Sequence, residues 1–259
     1  MFTSNPYAEL SAFIPPSVMQ TFIIVMAILV AGGTIYEVLH KKSARYFREN
    51  MRKSKSIATE KVGAGDMVSM AIKTAIVDVA ASGEFCDARR RIAHLLAMYG
   101  FVAYVITTAM MIFCYETTTT PAIVVQLWWI GALMICLGGY WFWFFIRVDV
   151  AAEGSSPFRI MRADLFILSL LASATFALLW AYLQARGNPW ADAAFILHII
   201  ATTVLFGSVA WSKFAHMFFK PAAAFEKRVS AANGSRSNLP APADIPETFG
   251  SVDHHPRNY

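Results

Sequence analysis

Apolar residues run through this chain in long, nearly charge-free blocks, and stretches rich in Lys and Arg separate them. A helix needs about twenty such residues to cross about 30 Å of hydrocarbon. Five blocks qualify: Val18 to Leu39, Ala93 to Tyr115, Ala122 to Ile146, Leu165 to Gln184 and Ala193 to Phe219. The pattern predicts an all-α fold, a polytopic membrane bundle of five transmembrane helices over residues 18–220. It leaves an outer N-terminal segment, 1–17, a large loop, 41–92, and a tail, 221–259. The tail is rich in Ser, Asn, Pro and charge, which predicts disorder or ordering by a partner.

Composition agrees, since 57% of the 259 residues are hydrophobic. Lys and Arg then orient the bundle. Twelve lie between spans 1 and 2, three between spans 3 and 4 and six after Ser212, against Arg186 alone on the other side. The positive-inside rule places the N-terminus outside and the loop 41–92 and C-terminus in the cytoplasm. The net charge of +5 sits on flanks that face anionic lipid, so it implies membrane lipid as a partner and not nucleic acid. Trp128, Trp129, Trp180 and Trp190 fall toward outer span ends and Trp141, Trp143 and Trp211 toward inner ones, which predicts interfacial belts. The first apolar run follows Pro15-Pro16 without a basic n-region, so no cleavable signal peptide is expected.

Within the loop, Asp66 to Ala81 has apolar residues at helical spacing, compatible with a helix lying on the membrane, on a partner or over the bundle. Cys86, Cys114 and Cys136 form no C-x-x-C pair, so no iron–sulfur or zinc site is expected in the chain itself. Gly138-Gly139 suits ordinary helix packing better than the close approach of a macrocycle. Arg147, Asp149 and Asp164 border the inner surface, where they could serve a quinone or a docking partner, although charges at such boundaries ordinarily face water.

Histidine is the residue type whose placement carries chemistry. His198 and His216 are eighteen residues apart in the last block. On one helix that is roughly five turns, with both rings on one face and about 27 Å between them. His94, at the start of span 2, lies level with His216 because spans 2 and 5 run antiparallel. Two imidazoles facing across a gap are the usual axial pair of a b-type haem. Arg90 and Arg91, just before His94, and Lys213, three before His216, would suit the haem propionates. The competing reading is a pair of histidines hydrogen-bonded between helices beside ordinary positive-inside flanks. His198, nearer the outer surface, is a candidate for a second haem, a quinone hydrogen bond or a structural role. Span 2 offers it Tyr104, Met110 or Met111 as a partner.

The segments GEFCDARRRIAHLLAMYGF (Gly83 to Phe101) and FILHIIATTVLFGSVAWSKFAHMFFKP (Phe195 to Pro221) resemble the haem-bearing membrane subunits of the nitrate reductase gamma and heterodisulfide reductase type. That type implies five spans with ligands on the second and fifth. With LWWIGALMICLGGYWFWFFIRVDVAAEGSSPFR and RADLFILSLLASATF added, the chain looks like the membrane anchors of dissimilatory adenylylsulfate reductase in sulfur-oxidising bacteria, from about Asn5 to Pro221. The resemblance implies the cytoplasmic membrane of a bacterium and a cytoplasmic partner enzyme carrying flavin and iron–sulfur clusters. It also implies electron transfer to quinone through one haem b, with a second haem possible, and no substrate chemistry by this subunit alone. The alternatives are a haem-free structural anchor, the cytochrome b subunit of another quinone-linked oxidoreductase, and a small-molecule transporter.

Overall fold

The computed structural model of the chain describes residues 2–40, 43–83, 85, 87–115, 120–149, 154–212 and 216–236, and the regular structure among them is all helical. Helix α1 (Pro6–Leu10) starts at Asn5, whose side chain accepts from the Tyr7 amide. Pro6 takes the first helical position, where a missing N–H costs nothing. Helix α2 (Pro16–His40) carries the first apolar block. Helices α3 (Ser43–Ser56) and α4 (Ala64–Lys73) follow, α4 passing directly into a π-helical turn, Thr74–Ala80, so the amphipathic loop segment is helical as expected. Helix α5 (Ala88–Phe113) is capped by Asp87, which accepts from the Arg89 amide. The rest are α6 (Ala122–Trp141) with its π-helical extension Phe142–Ile146, α7 (Leu165–Ala185), α8 (Ala191–Gly207) and α9 (His216–Ala232).

Among the described residues four helical segments are long and apolar enough to cross a bilayer: α2, α5, α6 with its extension, and α7 with the short turn before it. Helix α8 is apolar but shorter. The chain is an all-α, multi-pass membrane protein.

The last block is not the continuous helix expected over Ala193 to Phe219. Helix α8 ends at Gly207, and Ser208 closes it by bonding its amide to the Val204 carbonyl and its hydroxyl to that of Leu205. Glycine loses the most backbone freedom in a helix, and serine competes by bonding the local backbone, so Gly207-Ser208 is a weak point. Helix resumes at His216. His198 and His216 therefore belong to different helices, and the same-face relation drawn for one helix does not hold. Helix α9 runs on to Ala232, so the boundary set at Pro221 falls inside a helix, while residues 237–259 of the tail lie outside the described residues.

Helices α5 and α6 make the closest pair, because small residues let their backbones meet. A Cβ on Gly100 would come 2.7 Å from the Gly131 carbonyl oxygen. Gly138 lies against Ala93 and Ala97 of α5 and Gly139 against Leu171 of α7, which is helix packing and leaves no room for a macrocycle there. Helices α7 and α8 form the second close pair, and α2 lies more loosely across α8 and α5. Gly33 of α2 meets Val209 just beyond α8. Ile24, Ile28 and Ile35 of α2 face outward.

The tryptophans correct the expected belts. Trp128, Trp129, Trp143 and Trp180 are buried in the bundle, while Trp190 and Trp211 are mostly exposed. A ring near a span end buries more apolar area against a neighbouring helix than at the lipid boundary when the helix turns it inward.

The two ends of the bundle are built differently. At one, called here the basic end, α3, α4 and α9 gather. Ser54 Oγ meets the hydroxyls of Ser230 (3.2 Å) and Ser235 (2.8 Å) and accepts from Asn233 Nδ2 (2.9 Å). Arg228 donates to Asp78 Oδ2 through both Nε (2.8 Å) and Nη2 (2.7 Å). Arg147 and Asp164, expected to face water, form a buried ion pair at 2.6 Å, with the guanidinium 0% exposed and 4.1 Å above the Trp143 ring. Arg147 also donates to the carbonyls of Ser156 and Arg159, which fastens the turn before α7. At the other end α1 folds over the bundle. Asn5 Nδ2 reaches the carbonyls of Met111 (3.3 Å) and Tyr115 (2.9 Å) and the Thr120 hydroxyl (3.0 Å), satisfying acceptors that the end of α5 leaves open.

Candidate functional site

Between α2, α5 and α8 lies a cavity of about 800 Å³. Met19 and Met26 of α2, Phe101 and Tyr104 of α5, and His198 and Phe206 of α8 line it, with Tyr7 toward the α1 end and Met217 toward the basic end. None of the described lining residues is charged.

His198 is 5% exposed. Its Nδ1 lies 3.0 Å from the Ser173 carbonyl, which can only accept, so Nδ1 carries the ring proton and Nε2 the lone pair. The hydroxyls of Ser173 and Thr202 lie 3.4 Å from the same nitrogen and 2.7 Å from each other. Trp180 stacks on the ring at 6.1 Å, within 6° of parallel. Every polar contact of this imidazole among the described residues runs through Nδ1. Fixing one nitrogen and presenting the other is how a protein prepares a histidine as a ligand or a proton acceptor.

Two phenols share this wall. The buried hydroxyls of Tyr7 and Tyr104 have no hydrogen-bond partner among the described residues. Tyr7 packs beside Thr108, Tyr104 and Trp128, and the Thr108 hydroxyl donates to the Tyr104 carbonyl (2.7 Å) and accepts from Trp128 Nε1 (3.0 Å). Burial pushes the Tyr7 phenol up to about 12, so it stays protonated, and a donor, at neutral pH.

The other predicted site residues lie at the basic end. His94 is half-buried near the start of α5, its Nδ1 3.0 Å from Ser82 Oγ and its ring 4.9 Å from that of Phe85. Ser82 holds φ at 49°, a left-handed conformation unusual for a residue with a side chain. Arg91 Nε donates to the Ala81 carbonyl at 2.8 Å, and Arg90 is half-buried beside it. His216 opens α9, but its side chain lies outside the described residues, as does Lys213. His94 is not among the residues that line the cavity. Tyr104 stands ten residues beyond it on α5, about 15 Å along the axis.

Of the partners considered for His198 on span 2, the structure brings Tyr104 into the same cavity, whereas Met111 is fully buried in the core and Met110 packs against it. The thioethers that line the cavity are instead those of Met217 and of Met19 and Met26, the last two seven residues apart and so on one face of α2. Tyr7, Ser173 and Thr202 were also missed. Thr202 carried a signal: it sits one turn from His198 on an otherwise apolar helix.

Fold and site together define a class, a multi-pass membrane protein with an oriented imidazole at a cavity whose described lining carries no charge. No family model, curated protein or solved structure matches the chain.

Proposed function

We propose that this protein is a five-span anchor that holds a cytoplasmic adenylylsulfate reductase, an enzyme with flavin and iron–sulfur clusters, at a bacterial cytoplasmic membrane and passes electrons between it and quinone. The observation that carries this reading is His198, a carbonyl-oriented imidazole facing a cavity inside an apolar bundle, because ionisable side chains at that depth are costly and go with function. With α8 as the fifth span, the N-terminus is outside and the basic end faces the cytoplasm. The assembly of α3, α4 and α9 then presents the docking surface.

A b-type haem between His94 and His216 would supply one-electron transfer at the basic end. The described residues fit such a group in their donor chemistry. When His94 Nδ1 donates to Ser82 Oγ, the ring is held by that bond and Nε2 carries the lone pair. Arg91 spends its Nε on the Ala81 carbonyl, which aims the guanidinium while leaving other donors for an anionic group. Arg90 and Lys213 are the further cations proposed for propionates.

A single preparation tests the reading. Full-length protein, purified gently from its own membranes, should bring the reductase with it and show b-type bands on dithionite reduction that His94→Ala abolishes. Reductase retained without those bands favours the haem-free anchor. Absence of the reductase overturns the assignment of partner.

A further inference from the structure

We propose that the cavity between α2, α5 and α8 binds the head group of an isoprenoid quinone and its hydroquinone, with His198, Tyr7 and Tyr104 as its polar contacts. This rests on the quinone-linked reading above and narrows it, because it gives His198 to quinone and not to a second haem.

Charge decides between those two occupants. A b-type haem brings two propionates, and carboxylates inside a bilayer need cationic partners. The described lining contains no Lys or Arg. A quinone head group is neutral in both its fully oxidised and fully reduced forms, and it suits a wall made of Met, Phe, Ile, Val and Ala with a few polar atoms.

Those polar atoms are of the right kinds. The Tyr7 and Tyr104 hydroxyls have no partner among the described residues, and a quinone carbonyl is an acceptor for such donors. His198 Nε2 carries a lone pair because Nδ1–H is committed to the Ser173 carbonyl, and a hydroquinone hydroxyl donates to it. Both redox forms therefore find complementary groups. A buried hydroxyl left without a bond is unfavourable, and within hydrocarbon no water relieves it. A lipid acyl chain would fill the space but leave all three groups unsatisfied. The outward-facing Ile24 and Ile28 make α2 a wall with lipid on its far side, and its loose packing gives an isoprenoid tail a short way out.

The test uses the purified full chain in detergent. Trp180 stacks on His198 and Trp128 packs on Tyr104, so decylubiquinone bound in the cavity quenches their fluorescence. The expected result is saturable quenching that weakens about three- to tenfold in Tyr104→Phe, as for loss of one hydrogen bond. Ala109→Phe, which fills the cavity from α5, should weaken it about tenfold or more. Ile130→Ala, on the exposed face of α6, should leave it unchanged. Melting curves confirm that each variant is folded. Equal quenching in the wild type and both cavity variants overturns the proposal, as does tightly bound phospholipid that decylubiquinone fails to displace. Haem bands that disappear in His198→Gln overturn it in favour of a second haem. If quinone binding fails while the reductase co-purifies with bands that depend on His94, only the cavity assignment falls. Should quenching persist without the reductase, it is the partner assignment that falls.

Discussion

The ion pairs of the basic end and the phenols of the cavity handle buried polar atoms in opposite ways. At the basic end most are used on one another: Arg147 with Asp164, Arg228 with Asp78, and Ser54 with Ser230, Ser235 and Asn233, while Arg147 Nε and Thr74 Oγ1 have no partner among the described residues. Around the cavity the Tyr7 and Tyr104 hydroxyls lack a partner among the described residues, and His198, its Nδ1 committed to the Ser173 carbonyl, lines the open space. Groups that satisfy each other hold helices in place. Donors left without partners are available to a ligand of the kind proposed above.

That contrast predicts opposite responses to removing a polar group. The largest effect belongs to Arg147→Met, which strands the buried Asp164 carboxylate and two loop carbonyls. Thermal unfolding in detergent should show a loss of about 3–5 kcal/mol, as when one partner of a buried ion pair is removed. Asp78→Asn weakens a partly buried pair that ties α9 to the π-helical turn. It should cost about 1 kcal/mol, with faster proteolysis of α9 as a second readout. Tyr104→Phe should be nearly neutral, within about 0.5 kcal/mol of wild type or slightly stabilising, because the hydroxyl it removes has no bond to lose. A loss of more than about 2 kcal/mol there would mean that the phenol is structural, and the contrast between the two ends would collapse.

What the sequence disclosed and what it withheld follow from the range of the forces involved. Span limits were legible to within a few residues for α2, α6 with its extension, and α7, because bilayer thickness imposes itself on the apolar pattern directly. The helix over Asp66 to Ala81 was legible from its periodicity. The end of α8 was not, since every residue from Val204 to Trp211 is compatible with an apolar span and the break depends on how Gly207-Ser208 compete with their surroundings. The tryptophans misled for a related reason: depth can be read from position along a span, but the direction a ring points depends on which helix lies beside it. For the same reason the cavity beside His198 was invisible. Its walls come from α2, α5 and α8, and no local pattern records a space that helices fail to fill.

The early end of α8 also sets a mechanical condition on the membrane. Seventeen residues rise about 25 Å, some 5 Å less than a typical hydrocarbon thickness of about 30 Å. Each ångström of such mismatch costs a fraction of a kcal/mol, met by thinning lipid or by drawing polar turns inward. If α8 crosses as the fifth span, the bilayer along the wall that carries His198 has to thin to meet it. A thicker membrane would then press on that wall, and lipid chain length would act as a load on it without touching any group within it.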